Sequence, residues 1–286
     1  MKIFHPLAAA MVLAASSALS AAADDVRVMS FNVRYDNSGD GANGWAARST
    51  RVAALIDSVD ADIVGTQEVL HHQFVDLKKA LPGYAVVGCG REDGKEQGEY
   101  AALWYKSDRF DCLDCGNFWL SATPDVAGSM GWDGACVRMA SWALLRDKTT
   151  GEKVVALNTH LDHVGVEARH RGVELIKERL AKLAPGVPAV VTGDFNSGPE
   201  SAPVLYITDP QSKGHLVDSR TIASKTEGPA WTFHDFGRQP VAKREIIDFV
   251  FVSPGTKVKD YIIIDTTPGA PATCSDHCPV VTDLEI

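Results

Sequence analysis

The feature that most constrains this chain is a recurring pattern: short apolar runs of strand length, each ending on a polar group that chemistry can use. The clearest is Pro188 to Val191, which continues through Thr192 into Gly193-Asp194-Phe195-Asn196. A run this short, bounded by turn residues, reads as a buried strand. Asp194 and Asn196 are two apart, so in an extended segment they share a face. Alone, they read equally well as an Asp/Asn turn after a core strand. Repetition shifts the balance. Val26 to Val33 carries Asn32, Asp62 to Glu68 ends on Glu68, and Lys153 to Thr159 leads into His160. Arg244 to Val252 contains Asp248, and Asp276-His277 precedes Val280 to Ile286. Further strands are expected at 84–88, 100–105, 109–120, 138–146 and 257–265. Helices are expected from Trp45 to Ser58, with Val52, Leu55 and Ile56 on one face, from His72 to Leu81, and from Glu167 to Leu183. A short helix should start at Ala202. Strand–helix alternation early and late, with hairpin-like strands between, predicts an α/β fold. Two mixed sheets would pack face to face with helices outside, a four-layer α-β-β-α sandwich. Such sheets bind ligands at the carboxyl ends of their strands.

Met1-Lys2, the apolar alanine-rich stretch from Pro6 to Leu19 and Ser20-Ala21-Ala22-Ala23 have the pattern of a secretory signal peptide. The expectation is a leader over 1–23, one domain over 24–286, no membrane span, and a secreted or periplasmic monomer. The formal net charge is −9, and loss of Lys2 makes it more negative. An acidic surface gives no steering toward a phosphate backbone. That counts against a tight, sequence-independent nucleic-acid binder, though not against a nuclease that grips phosphate locally. Six cysteines in an exported chain permit disulfides. Cys112-x-x-Cys115 could be a loop bridge or a metal pair, and Cys274 and Cys278 bracket Asp276-His277.

Several acids without paired thiols suit a hard, oxygen-preferring cation such as Mg²⁺ or Mn²⁺. With two histidines and amides, that is the equipment of phosphoester hydrolysis. Gly-x-Ser-x-Gly and His-Glu-x-x-His motifs are absent. Each residue also has a plainer reading. Asp248, inside a very apolar run, needs a partner if buried, catalytic or not. Glu68 could start a helix, and His160 could be a satisfied core histidine. Arg91 could be an ordinary loop arginine or a phosphate clamp. Arg48 and Arg171 suit the surface or helix packing. Asp162 and His163 suit either a pocket wall or a turn, and Trp132, Trp231 and His234 could line a cleft.

Six motifs occur in order: Ser30-Phe31-Asn32, Gly65-Thr66-Gln67-Glu68, Asn158-Thr159-His160-Leu161-Asp162, Gly193-Asp194-Phe195-Asn196, Ile247-Asp248-Phe249-Val250 and Ser275-Asp276-His277-Cys278-Pro279-Val280. The set resembles the endonuclease/exonuclease/phosphatase superfamily, the deoxyribonuclease-like fold. Trp45-Ala46-x-Arg48, Gly90-Arg91-x-Asp93-Gly94 and Gly98-Glu99-Tyr100 are similar to an exported bacterial branch related to the carbon-catabolite-repressor and nocturnin deadenylases. The resemblance implies a Mg²⁺- or Mn²⁺-dependent phosphoric ester hydrolase. Glu68 would be the principal metal ligand, with Asn32 and Asp276 beside it. Asp194 would activate water. Asn196, His160 and Arg91 would contact substrate, and Asp248 would orient His277. His160 would be the second catalytic histidine, with Glu99 as its partner. The substrate would be nucleic acid, a phospholipid head group or a phosphosugar, because one constellation serves all three. A phosphodiesterase or nuclease is the leading expectation. A phosphomonoesterase or a phospholipase/sphingomyelinase-type enzyme is the alternative, and a non-catalytic binding module is the remaining class.

Overall fold

The first strand, β1 (Val26–Asn32), is buried on both faces because it is apolar at consecutive positions. Val28 joins the core between the sheets, while Met29 and Phe31 join a second core under helices. The computed structural model describes residues 25–285, and the expected leader lies outside them. After β1 come α1 (Trp45–Val59), β2 (Ile63–Val69), α2 (His71–Ala80), β3 (Tyr84–Val87), β4 (Tyr100–Lys106) and β5 (Phe110–Trp119). Then follow β6 (Met139–Asp147), β7 (Lys153–His160), α3 (Val166–Leu183), β8 (Ala189–Asp194), α4 (Ala202–Thr208), β9 (Val217–Asp218) and α5 (Ser219–Ile222). The chain closes with β10 (Lys225–Glu227), β11 (Asp248–Val252), β12 (Lys257–Ile263) and β13 (Val280–Glu285).

Seven strands form one sheet in the order β10-β12-β13-β1-β2-β4-β3, and six form the other in the order β5-β6-β7-β8-β11-β9. Both are mixed. β1 runs parallel to β2 through the α1 crossover, and β7 runs parallel to β8 through α3. Their outer partners β13 and β11 are antiparallel. Val52 and Ile56 of α1 and Leu77 of α2 cover the first sheet; Val173 and Ile176 of α3 and Val204 of α4 cover the second. The expected sandwich is therefore the observed one.

Where the sheets meet below the site, the contact is polar. Gly65 leaves room for Asn158, whose Oδ1 accepts from Gln67 Nε2 (2.7 Å) and Thr192 Oγ1 (3.0 Å). Asn158 Nδ2 donates to the carbonyls of Thr66 and Ala102. Several residues of the recurring motifs are thus struts between the sheets.

One strand boundary differs from the sequence expectation. β11 starts at Asp248, because the amides of Ile247 and Asp248 donate to Thr232 Oγ1 instead of a ladder. Asp248 is consequently the first residue of its strand, at the site edge. The short β9 and β10 carry no sequence signal. All six cysteines are free thiols in the structure.

Candidate active site

Strand direction brings the site together. The carboxyl ends of β1, β2, β7 and β8 share one edge of the sandwich, where the antiparallel β11 and β13 begin. Register then places His160 beside Asp194, and Asp194 beside Asp248. In the other sheet Asn32 pairs with Gln67, one residue before Glu68. The β2–β4 ladder slips between Thr66 and Val69, and Glu68 lies in that slip with φ at 61°. Arg34 (φ 59°) and Asn196 (φ 46°) also hold left-handed conformations that cost a side-chain-bearing residue energy. Bulges and strain of this kind aim side chains out of a ladder.

Asn32 Nδ2 donates to Glu68 Oε1 at 3.0 Å and to Asp194 Oδ2 at 2.9 Å. Its Oδ1 accepts from the Arg34 amide. Asn32 therefore presents N–H groups to the two acids and acts as their brace. Glu68 Oε2 accepts from the Tyr35 amide at 3.1 Å. Burial raises the Glu68 pKa, but the His277 charge and these hydrogen bonds outweigh it and leave the group below its ordinary value. Glu68, His160 and Asp194 offer ligand atoms within 4.8 Å of one another. Two carboxylates and an imidazole so close fit a divalent cation. Asp276 is not in that trio. It faces Arg34 Nε at 3.7 Å, and Arg34 also stands 3.9 Å from Glu68.

His277 Nδ1 lies 2.9 Å from Asp248 Oδ2 and its Nε2 lies 3.9 Å from Asp194 Oδ2. Burial lowers the His277 pKa, but the Asp248 carboxylate and hydrogen bond outweigh it and push the pKa up to about 10. Asp194 goes up to about 7, first through burial and then through repulsion from Asp248. Burial likewise raises Asp276, to about 6. Burial, reinforced by Arg138 and Arg91, keeps His160 well below the usual histidine range.

Two of the expected site residues carry further partners. Glu99 grips Arg91 with both oxygens, at 2.7 and 2.9 Å, and is 3.8 Å from His160 Nδ1. Arg91 therefore has its fork committed to Glu99. Asn196 spends its Nδ2 on His160 Nε2 (2.9 Å) and the Leu161 carbonyl (3.0 Å), so it positions His160. The cleft-lining reading also changes. Trp132 lies at a separate surface hollow, and Trp231 packs against the core. His234 is fully buried and caps a turn, accepting from the Gly237 amide. Arg48 is buried and bonds the carbonyls of Val33, Arg34 and Asn43, whereas Arg171 is exposed and pairs with Glu174.

A cavity of about 420 Å³ opens over His160, Asp194, Asn196 and His277. Its walls add residues that sequence did not single out: Arg34, Tyr35, Cys136, Arg138 and Phe233. The Phe233 ring centroid is 4.8 Å from that of His277. His163 lines the same cavity, while Asp162 accepts the backbone amides of Val164 and Gly165 and so serves the turn.

The sequence profile of the Endonuclease/Exonuclease/phosphatase family matches residues 29–277. A crystal structure of an endonuclease/exonuclease/phosphatase from Bacteroides vulgatus superposes with a TM-score of 0.88 at 46% identity, covering 92% of this chain and 99% of that one. A mannosyl-6-phosphatase from Bacteroides thetaiotaomicron superposes with a TM-score of 0.84 at 38% identity, covering 91% of this chain and 100% of that one. Protein angel of Drosophila melanogaster is 24% identical over 77% of this chain and 62% of its own length. The chain spans 26% and 62% of the lengths of the curated relatives it matches.

Proposed function

Because the chain belongs to the endonuclease/exonuclease/phosphatase family, we propose that it is a divalent-metal-dependent phosphomonoesterase acting on a small phosphorylated sugar or polyol. One observation carries the reading: the catalytic groups open into a cavity of about 420 Å³ whose far wall is polar and donor-rich, with Arg91, Arg138 and His163. That volume suits one small molecule. The match over the full length of a mannosyl-6-phosphatase supports the same choice. It moves preference from the phosphodiesterase expected from sequence to the monoesterase alternative. The negative net charge agrees, since it offers no track for a nucleic-acid backbone.

The chemistry follows from the side chains. Glu68 would hold Mg²⁺ or Mn²⁺, and Asn32 fixes the orientation of Glu68 and of Asp194. Bound there, the ion would neutralise phosphate oxygens. Asp194, beside the metal site, would orient the attacking water and take its proton. His277, protonated at that pH, donates a charge-assisted hydrogen bond from Nε2 to the phosphoryl group. Asp248 holds its ring from the other side at 2.9 Å. Asn196 holds His160 with Nδ1 as the protonated nitrogen, facing the Arg91–Glu99 side of the cavity.

The test is a substrate panel with Mg²⁺, with Mn²⁺ and with chelator: hexose 6-phosphates, p-nitrophenyl phosphate, bis-p-nitrophenyl phosphate, single-stranded RNA and sphingomyelin. Metal-dependent turnover concentrated on the hexose phosphates is expected. Preference for a diester would refute the monoesterase reading. A folded sample inert on every member would make the protein a binding module.

A further inference from the structure

Arg138 sits just before β6 and is 6% exposed. Its Nη2 meets His163 Nδ1 at 3.1 Å, but Nε and Nη1 have no partner among the described residues. Asp162 does not absorb them. Its Oδ2 is 3.8 Å from Nε and already takes the amides of Ala135 and Cys136, while Oδ1 takes those of Val164 and Gly165. Asp162 instead anchors the backbone around Arg138. Arg91 Nε and His160 Nδ1 are also buried and unpartnered. All three residues line one void of about 10 Å³ beside the main cavity, and Arg91 and Arg138 line the main cavity too. Buried donors without acceptors are rare in folded proteins and costly. Glu99 lines the same void but gives both oxygens to Arg91, so these donors lack a hydrogen-bond acceptor among the described residues.

We propose that Arg138 recognises the sugar half of the substrate, donating from Nε and Nη1 to its hydroxyl or ring oxygens while the phosphate lies at His160 and His277. The inference rests on the monoesterase reading and adds the residue that selects the leaving group. A sugar fits this wall better than a second anion. Arg91 is already neutralised by Glu99 at 2.7 Å, and the Asp162 carboxylate lies 3.8 Å from Arg138. Hydroxyl groups also both donate and accept. They can satisfy the arginine N–H groups and still give a proton to Glu99, which a phosphate dianion cannot.

The experiment compares the wild-type chain with Arg138→Gln and Arg138→Lys, loaded with Mg²⁺, on mannose 6-phosphate and on p-nitrophenyl phosphate. The second substrate has a leaving group without hydroxyls, and its turnover also reports that each variant is folded. Charge-assisted hydrogen bonds of this kind are worth roughly 10- to 100-fold. The kcat/KM for mannose 6-phosphate should fall by about that much in Arg138→Gln, mostly through KM, and by less in Arg138→Lys. On p-nitrophenyl phosphate both variants should lose clearly less, so that the ratio of the two kcat/KM values falls. Equal losses on both substrates would overturn the proposal by placing Arg138 at the phosphate or in the fold. No loss on either would overturn it too, leaving water as the partner of these donors. A wild type that cleaves p-nitrophenyl phosphate or diesters but no sugar phosphate would fail the monoesterase reading itself, and this inference with it.

Discussion

Replacing Arg48 by methionine should destabilise the protein by about 3 kcal/mol, although Arg48 touches no substrate. Arg48 is 1% exposed and sits on α1 beneath the site. Its guanidinium donates to the Asn43 carbonyl at 2.8 Å, to the Cys274 carbonyl at 3.3 Å, and to the carbonyls of Val33 and Arg34. It also packs 5.2 Å from the Trp45 ring. Methionine keeps most of the stem, and the Arg34 carbonyl keeps Gln73 Nε2, but the other three carbonyls lose this donor at about 1 kcal/mol each. Losing the ring contact adds about 0.5 kcal/mol. Relief of the buried charge offsets part of this, for burial already holds the Arg48 pKa below its ordinary value. The net is about 3 kcal/mol. For a domain of this size that lowers Tm by roughly 6–12 °C. Calorimetric unfolding of the two proteins measures it directly. The carbonyls concerned belong to the segments carrying Arg34 and, next to Cys274, Asp276. Turnover should therefore fall about tenfold even at a temperature where the variant is folded. A Tm within about 2 °C of wild type, with unchanged kcat, would refute the reasoning. It would mean that water satisfies those carbonyls and that Arg48 merely fills space.

Gly65→Ala should cost on the order of 3 kcal/mol by overpacking. An added Cβ would stand 2.5 Å from Asn158 Oδ1 and closer still to Thr192 Oγ1. Urea unfolding checks it, and a variant as stable as wild type would show that the two sheets can part there. His234 predicts an acid-sensitive term in stability. Its Nδ1 accepts the Gly237 amide and its Nε2 meets Thr266 Oγ1, so the ring is neutral, and burial takes its pKa from 6.5 down to about 4. The unfolded chain binds this proton first. Stability should fall as pH drops from 6.5 toward 4, by up to about 1.4 kcal/mol per unit, and the term should vanish above 6.5. His234→Asn keeps an oxygen for the Gly237 amide and cannot titrate. Its stability should therefore depend less steeply on pH across that window in parallel denaturation series.

The sandwich and most of the site were legible because both come from one property of strands. An apolar run fixes which faces are buried, and its last polar residue then projects from a predictable edge. Asn32, Glu68, His160 and Asp194 were found that way, and Asp248 by the cost of burying an unpaired carboxylate. What escaped depends on partners that local pattern does not reveal. Asn196 was expected at the phosphate, and its bonds to His160 and the Leu161 carbonyl have no counterpart in the sequence pattern. Glu99 does lie 3.8 Å from His160 Nδ1 as expected, but its two-oxygen grip on Arg91 carries no sequence signal. Arg34 and Arg138 carry no motif of their own, and their importance appears only once loop and strand ends close around one cavity. His234, which could have lined the cleft, is fully buried, while its neighbour Phe233 faces His277.

The two halves of that cavity have opposite deficits. On the catalytic side Glu68, Asp194, Asp248 and Asp276 crowd around His277 and Arg34, and the pKa values of Asp194 and Asp276 rise because burial and mutual repulsion disfavour their charge. That half is short of positive charge, which a divalent ion supplies. On the far side Arg91 and Arg138 hold buried N–H groups with nothing to receive them. That half is short of oxygen acceptors, which a polyhydroxylated leaving group supplies. A nucleic-acid strand or a lipid head group meets the first need, since any phosphoester with its metal does. The phosphorylated sugar proposed above would meet both. On the monoesterase reading proposed above, the far wall rather than the catalytic side would decide substrate choice.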